Sequence, residues 1–98
     1  MKLIFRERDS SKARELFEIA TAQNATIITT NAPALRVKAK SYGYNNLVIV
    51  DATELFSNAE SFTNCPVILH NVDKMVDNYF QFAFNAHVIA MSATVENE

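Results

Sequence analysis

The sequence predicts a single α/β domain in three layers, with a mostly parallel sheet of five strands joined by helical crossovers. Three observations predict it. Short apolar or β-branched runs recur at residues 3–5, 25–29, 47–50, 67–69 and 88–91, each too short for a helix. Segments with helical spacing and capping residues separate several of them, the alternation expected of a parallel sheet with right-handed crossovers. The chain has 98 residues and 49% hydrophobic content, enough to bury one core and too little for a second domain.

The first unit is a strand at Leu3, Ile4 and Phe5, followed by a helix that Ser10 or Ser11 caps. In that helix Ala13, Leu16, Phe17 and Ala20 fall at i, i+3, i+4 and i+7, one apolar stripe. The second unit repeats the pattern. Ile27 and Ile28 centre the strand at 25–29, Asn31 caps the next helix, Pro33 sits in its first turn and Gly43 ends it.

The run at 47–50 is continuously apolar, as in a strand buried on both faces. Asp51, with Glu54 three residues on, resembles a capping box that opens a short turn through Leu55 and Phe56. A polar loop is expected at 57–64, a fourth strand at 67–69, a helix or helical turn at 72–84 and a fifth strand at 88–91. The domain spans 1–94, and 95–98 is a polar tail. Pattern does not set strand order, so a flavodoxin-like order is the alternative.

Charge is unevenly placed along the chain. Residues 1–40 carry eight cations against four anions, a net of +4. Residues 41–98 carry Lys74 against seven acidic side chains, a net of −6. Such polarity steers a phosphate-bearing partner to one end or supports head-to-tail association. The lone Cys65 makes no internal disulfide, and the start does not read as a signal peptide, so a reducing cytoplasm is expected. No apolar stretch approaches the roughly 18–20 residues that span a bilayer, and no membrane partner is expected. Cys65 precedes Pro66 at a strand entrance and reads as an inert thiol.

Three blocks follow successive apolar runs in a fixed order: Ser10, Ser11, Lys12, Ala13; then His70, Asn71, Val72, Asp73; then Ser92, Ala93, Thr94. They occupy the places of the phosphate loop, the acidic box and the Ser-Ala-Thr box of a motor domain. On these residues the chain resembles the first lobe of a helicase-type, DEAD-box-like P-loop NTPase. In particular it resembles short phage-encoded P-loop proteins, which would place it in a host cytoplasm. The resemblance runs from Leu3 to Thr94 and implies a P-loop NTPase-like sheet.

The residues depart from the working chemistry of that family. A phosphate loop of the form G-x-x-x-x-G-K-[ST] needs glycines to turn backbone N–H groups toward phosphate, a lysine for the outer phosphates and a hydroxyl for magnesium. Laid on residues 6–13 it retains Lys12, but side chains fill both glycine positions and Ala13 has no hydroxyl. Arg6, Arg8, Ser11 and Lys12 remain as a vestigial, cationic phosphate-binding run. In the acidic box His70 and Asn71 stand where the resemblance implies a magnesium-holding aspartate and a water-orienting glutamate; Asp73 survives as the fourth member. Ser92 and Thr94 match the third block, whose hydroxyls couple the nucleotide site to lobe movement in that family.

No catalytic residue and no metal ligand set is therefore expected, and no cofactor, with ATP and magnesium as the alternative. The expected function is binding, by self-association or to a protein partner. Its surface is the aromatic run Tyr79, Phe80, Phe82 and Phe84, whose spacing exceeds one helical stripe. Two alternatives stand beside it. One is a small NTPase that a neighbouring subunit completes. The other is a nucleic-acid accessory module using Arg36, Lys38 and Lys40, with Tyr42 and Tyr44 stacking on bases; the sequence pI near 5.6 weighs against dominant phosphate affinity.

Overall fold

The computed structural model describes residues 12–57 and 64–93. The strand expected at 3–5, the cations Arg6 and Arg8, Ser11, most of the loop at 57–64, Thr94 and the tail lie outside the described residues. So do the side chains of Lys12, Leu55 and Phe56.

The element order is α1 (Lys12–Gln23), β1 (Thr26–Thr29), α2 (Ala32–Ser41), β2 (Ile49–Asp51), α3 (Ala52–Ser57), β3 (Val67–Leu69) and α4 (Val72–Phe84). The three strands are parallel, in the order β2-β1-β3. Ile27 lies level with Ile49 and Ile68, and Ile28 with Val50 and Leu69.

Side chains alternate across the strands, and this splits the core in two. On one face Ile27 and Ile49 pack with Ala13, Phe17 and Ala20 of α1 and Ala32, Leu35 and Ala39 of α2. On the other, Ile28 packs with Ala52 of α3 and Met75 of α4. The expected three layers form, with α1 and α2 over one face and α3 and α4 over the other. Small residues dominate the helix side of the first layer, so helices lie close to the strands. Phe17 is completely buried there, flanked by Tyr44 at 5.5 Å and Tyr42 at 6.1 Å between ring centroids, with the Arg14 guanidinium 4.7 Å above the Tyr42 ring.

Local signals explain the element ends. The Asn31 side chain accepts a hydrogen bond from the Ala34 N–H at 3.3 Å, capping α2, and Pro33 occupies its first turn, where a missing N–H costs nothing. Gly43, with φ of 90°, turns the chain after α2. Asn24, Asn64, Asn71 and Asn85 adopt positive φ at the other junctions; asparagine tolerates this region better than most residues with a Cβ.

Three expectations are corrected. The described sheet has three strands, not five. Residues 88–91, expected to form the last strand, are irregular, with Val88 half-buried and Ile89, Ala90 and Met91 exposed. The chain leaves α4 through left-handed Asn85, and the Val88 N–H donates to Asp77 Oδ1 at 3.1 Å, so the segment lies along α4 instead of beside β3. The third strand, expected at 47–50, runs instead from Ile49 to Asp51, and its pairing to β1 opens with the Ile27 N–H donating to the Val48 carbonyl at 2.9 Å.

Candidate functional site

The order β2-β1-β3 creates a switch point. The chain leaves β1 through α2 to reach β2 on one side, then returns through α3 to place β3 on the other. The helices following β1 and β3 therefore lie on opposite faces, so the carboxyl ends of those two strands form the topological switch point of the described sheet. In open α/β sheets this is where ligands bind.

β1 ends at Thr29 and is followed by Thr30 and Asn31, and His70 and Asn71 follow Leu69, the last residue of β3. Thr29 is 1% exposed, and its hydroxyl lies 2.9 Å from His70 Nδ1. The two strands are also tied by the main chain, the His70 N–H donating to the Ile28 carbonyl at 2.9 Å. Asp51 is level with Thr29 on the other side. By alternation Thr29 and Asp51 extend the rows of Ile27 and Ile49, so both point toward the α1/α2 layer. An acid, a buried hydroxyl and an imidazole thus line the sheet end in one row.

Helix termini flank these strand ends. Asn71 is left-handed, and its carbonyl accepts the Met75 N–H at 3.1 Å in the first turn of α4, where Asp73 is exposed. The N-terminus of α2 is already capped by Asn31. Because α1 returns to β1 through the short link at Asn24 and Ala25, it runs antiparallel to that strand, and its first residue, Lys12, starts at the carboxyl end of the sheet. The backbone position of Lys12 and the residues His70, Asn71 and Asp73 therefore share one end of the domain. Ser92 lies beyond Met91 in the exposed segment, which lines an open cleft of about 440 Å³ with Asp73, Lys74 and Asp77.

The remaining expected residues are dispersed. Arg36 turns toward the sheet, its Nε and Nη2 donating to the Ile49 carbonyl at 3.0 and 2.6 Å, while Lys38 and Lys40 are exposed on α2. Tyr42 and Tyr44 contact Phe17, so both rings cover the core. On α4, Tyr79, Phe80 and Phe84 form a ring cluster with centroid separations of 5.5–6.3 Å, and Phe82 projects alone, 90% exposed.

Sequence reasoning did not single out Asp51 or the pairing of Thr29 with His70. Asp51 reads locally as a cap, and only the register sets it beside Thr29. A second cleft, of about 460 Å³, opens at the amino ends of the strands, between Asn24, Thr26, Gly43, Asn45, Asn46 and Cys65. There the Cys65 thiol lies 3.5 Å from the Thr26 hydroxyl. Among the described residues no three His, Cys, Asp or Glu side chains gather as a metal site, and no helix is long and apolar enough to cross a membrane. No known protein family, curated protein or solved structure matches the chain.

Proposed function

We propose that this chain is a P-loop-type α/β module without catalytic activity, which works by binding a second copy of itself. One observation carries the reading: the carboxyl end of β3 presents an imidazole and an amide, and the imidazole is hydrogen-bonded to buried Thr29. A magnesium–triphosphate needs carboxylate oxygen at that place and a backbone nest opposite it. His70 and Asn71 do not supply the first, and a run from Arg6 to Ser11 without glycine is poorly suited to the second.

Binding is supported by what lies on the surface. Phe82, Phe84, Ile89 and Met91 are all exposed on α4 and the segment after it. Apolar side chains collected in this way mark contact surfaces. The two helical layers also differ in charge. α1 and α2 hold Lys12, Arg14, Arg36, Lys38 and Lys40 against Glu15 and Glu18, a net of +3. α3 and α4 hold Glu54, Asp73 and Asp77 against Lys74, a net of −2. The sequence polarity becomes two opposed faces, and copies stacked head to tail bring unlike charges together.

The test combines light scattering with a phosphate-release assay. Mass above 11.0 kDa that rises with concentration, without ATP hydrolysis, is expected. Magnesium-dependent hydrolysis that disappears in Lys12→Ala overturns the reading in favour of an enzyme.

A further inference from the structure

We propose that the outward stripe of α4, formed by Asp73, Asp77, Phe80 and Phe84, packs antiparallel on the outward stripe of α2 in a second copy, formed by Pro33, Val37 and Lys40. This rests on the self-association proposed above and names the two surfaces that meet.

Helix geometry and the cores beneath define both stripes. At about 100° per residue, Asp73, Asp77, Phe80 and Phe84 fall within about 60° of one another, and Met75, which packs on Ile28, points the opposite way. Phe84 is 63% exposed. On α2, Pro33, Val37 and Lys40 likewise share one side, while buried Ala32, Leu35 and Ala39 face the sheet. Val37 is 70% exposed, an apolar residue turned away from its own core.

The order of residue types along each stripe sets the direction of packing. The α4 stripe runs from acid to aromatic, and the α2 stripe runs from apolar to cation. Laid antiparallel, Lys40 meets Asp77, Val37 meets Phe80 and Pro33 meets Phe84. The spacings agree, because the members of both stripes are separated by three and then four residues, about 4.5 and 6 Å of helical rise. Asp77 accepts the Val88 N–H through Oδ1, and its second oxygen is the one offered to Lys40. Lys38 and Lys40 stand in the last turn of α2 and Asp73 in the first turn of α4, so this order also sets the negative end of one helix dipole beside the positive end of the other. A parallel arrangement places Lys40 against Phe84 and Asp77 against Pro33, and it pairs no opposite charges.

α2 and α4 cover opposite faces of the sheet, so a chain that uses one stripe keeps the other for a further copy. The contact is heterologous, and its repetition closes a ring or extends a filament.

Single-cysteine chains test the contact. With Cys65→Ser in every chain, a Val37→Cys chain is mixed with a mass-tagged Phe80→Cys chain and oxidised, and a tagged chain carrying Val48→Cys, at an exposed position outside both stripes, serves as the control. Helices packed about 8–10 Å apart bring facing Cα atoms within disulfide reach. A tagged-to-untagged disulfide with Phe80→Cys and none with Val48→Cys is the expected result. Lys40→Glu sets a third acid against Asp73 and Asp77, and it is expected to raise the concentration needed for association by about tenfold or more. Lys40 is on the surface, and circular dichroism verifies that this variant folds. Association of the native chain that gives no Phe80→Cys cross-link and is unchanged in Lys40→Glu overturns the helix contact while leaving self-association standing. Equal cross-linking of the two tagged chains marks random collision and overturns the inference. A mass of 11.0 kDa for the native chain at every concentration overturns both readings.

Discussion

The hydroxyl of Thr29, buried at the end of β1, lies 2.9 Å from Nδ1 of His70 at the end of β3. It links the two strands across the switch point and orients the imidazole there. Thr29→Val keeps the shape and removes the hydrogen bond. The expected cost is about 1 kcal/mol, a fall in Tm of about 4–8 °C for a domain of this size. Thr29→Ser is expected to retain most of the stability, and thermal unfolding followed by circular dichroism measures both.

Arg36 matters through the Ile49 carbonyl. Arg36→Met keeps much of the aliphatic stem and removes both donors, and because the residue is partly solvated, water replaces some of what is lost. A loss of about 1 kcal/mol in urea unfolding is expected, with m unchanged. Nucleic-acid affinity through Arg36 predicts a salt-sensitive mobility shift in the native chain instead, and a flat response across salt concentrations supports the structural role.

Among the described residues Phe17 is the largest fully buried side chain of the α1/α2 core. Phe17→Ala removes the ring that Tyr42 and Tyr44 contact and leaves a void between α1 and the sheet. A cost of about 3–5 kcal/mol is expected, a large part of the stability of a small domain. Chemical denaturation reads it directly.

Asn71 has φ of 59° and ψ of 51°, the left-handed region. Asn71→Gly keeps this backbone region accessible, and Asn71→Val is expected to be less stable than Asn71→Gly by about 1–2 kcal/mol, because a β-branched residue is strained there. The contrast between the two variants separates backbone strain from loss of the side chain.

Phe82 projects from α4 almost fully exposed. Phe82→Ser is expected to leave Tm within about 1 °C, since it uncovers no core. The same substitution should lower the mass seen by light scattering if α4 lies in the contact between copies. Raising salt from 50 to 500 mM should lower that mass further, because exposed unlike charges are screened.

Much of the architecture is local and therefore legible. The α1 stripe of Ala13, Phe17 and Ala20, the cap at Asn31, the short strands around Ile27 and Ile68 and the full extent of α4 follow from apolar spacing and terminal residues, which act over a few neighbours. Residues 88–91 show the limit of such reasoning. Their composition suits a strand, but strand formation needs a partner edge, and the bond from Val88 to Asp77 draws the segment elsewhere.

Strand order, the pairing of Thr29 with His70, the row that adds Asp51 and the turn of Arg36 onto Ile49 join residues 13 to 41 positions apart. Two neighbouring units with identical local patterns place their strands on the same or on opposite sides of β1 with equal ease. Only the packing of helices over both faces decides between them, so the amino-acid order specifies the pieces and the face each one buries, while closure of the core selects which strand ends meet.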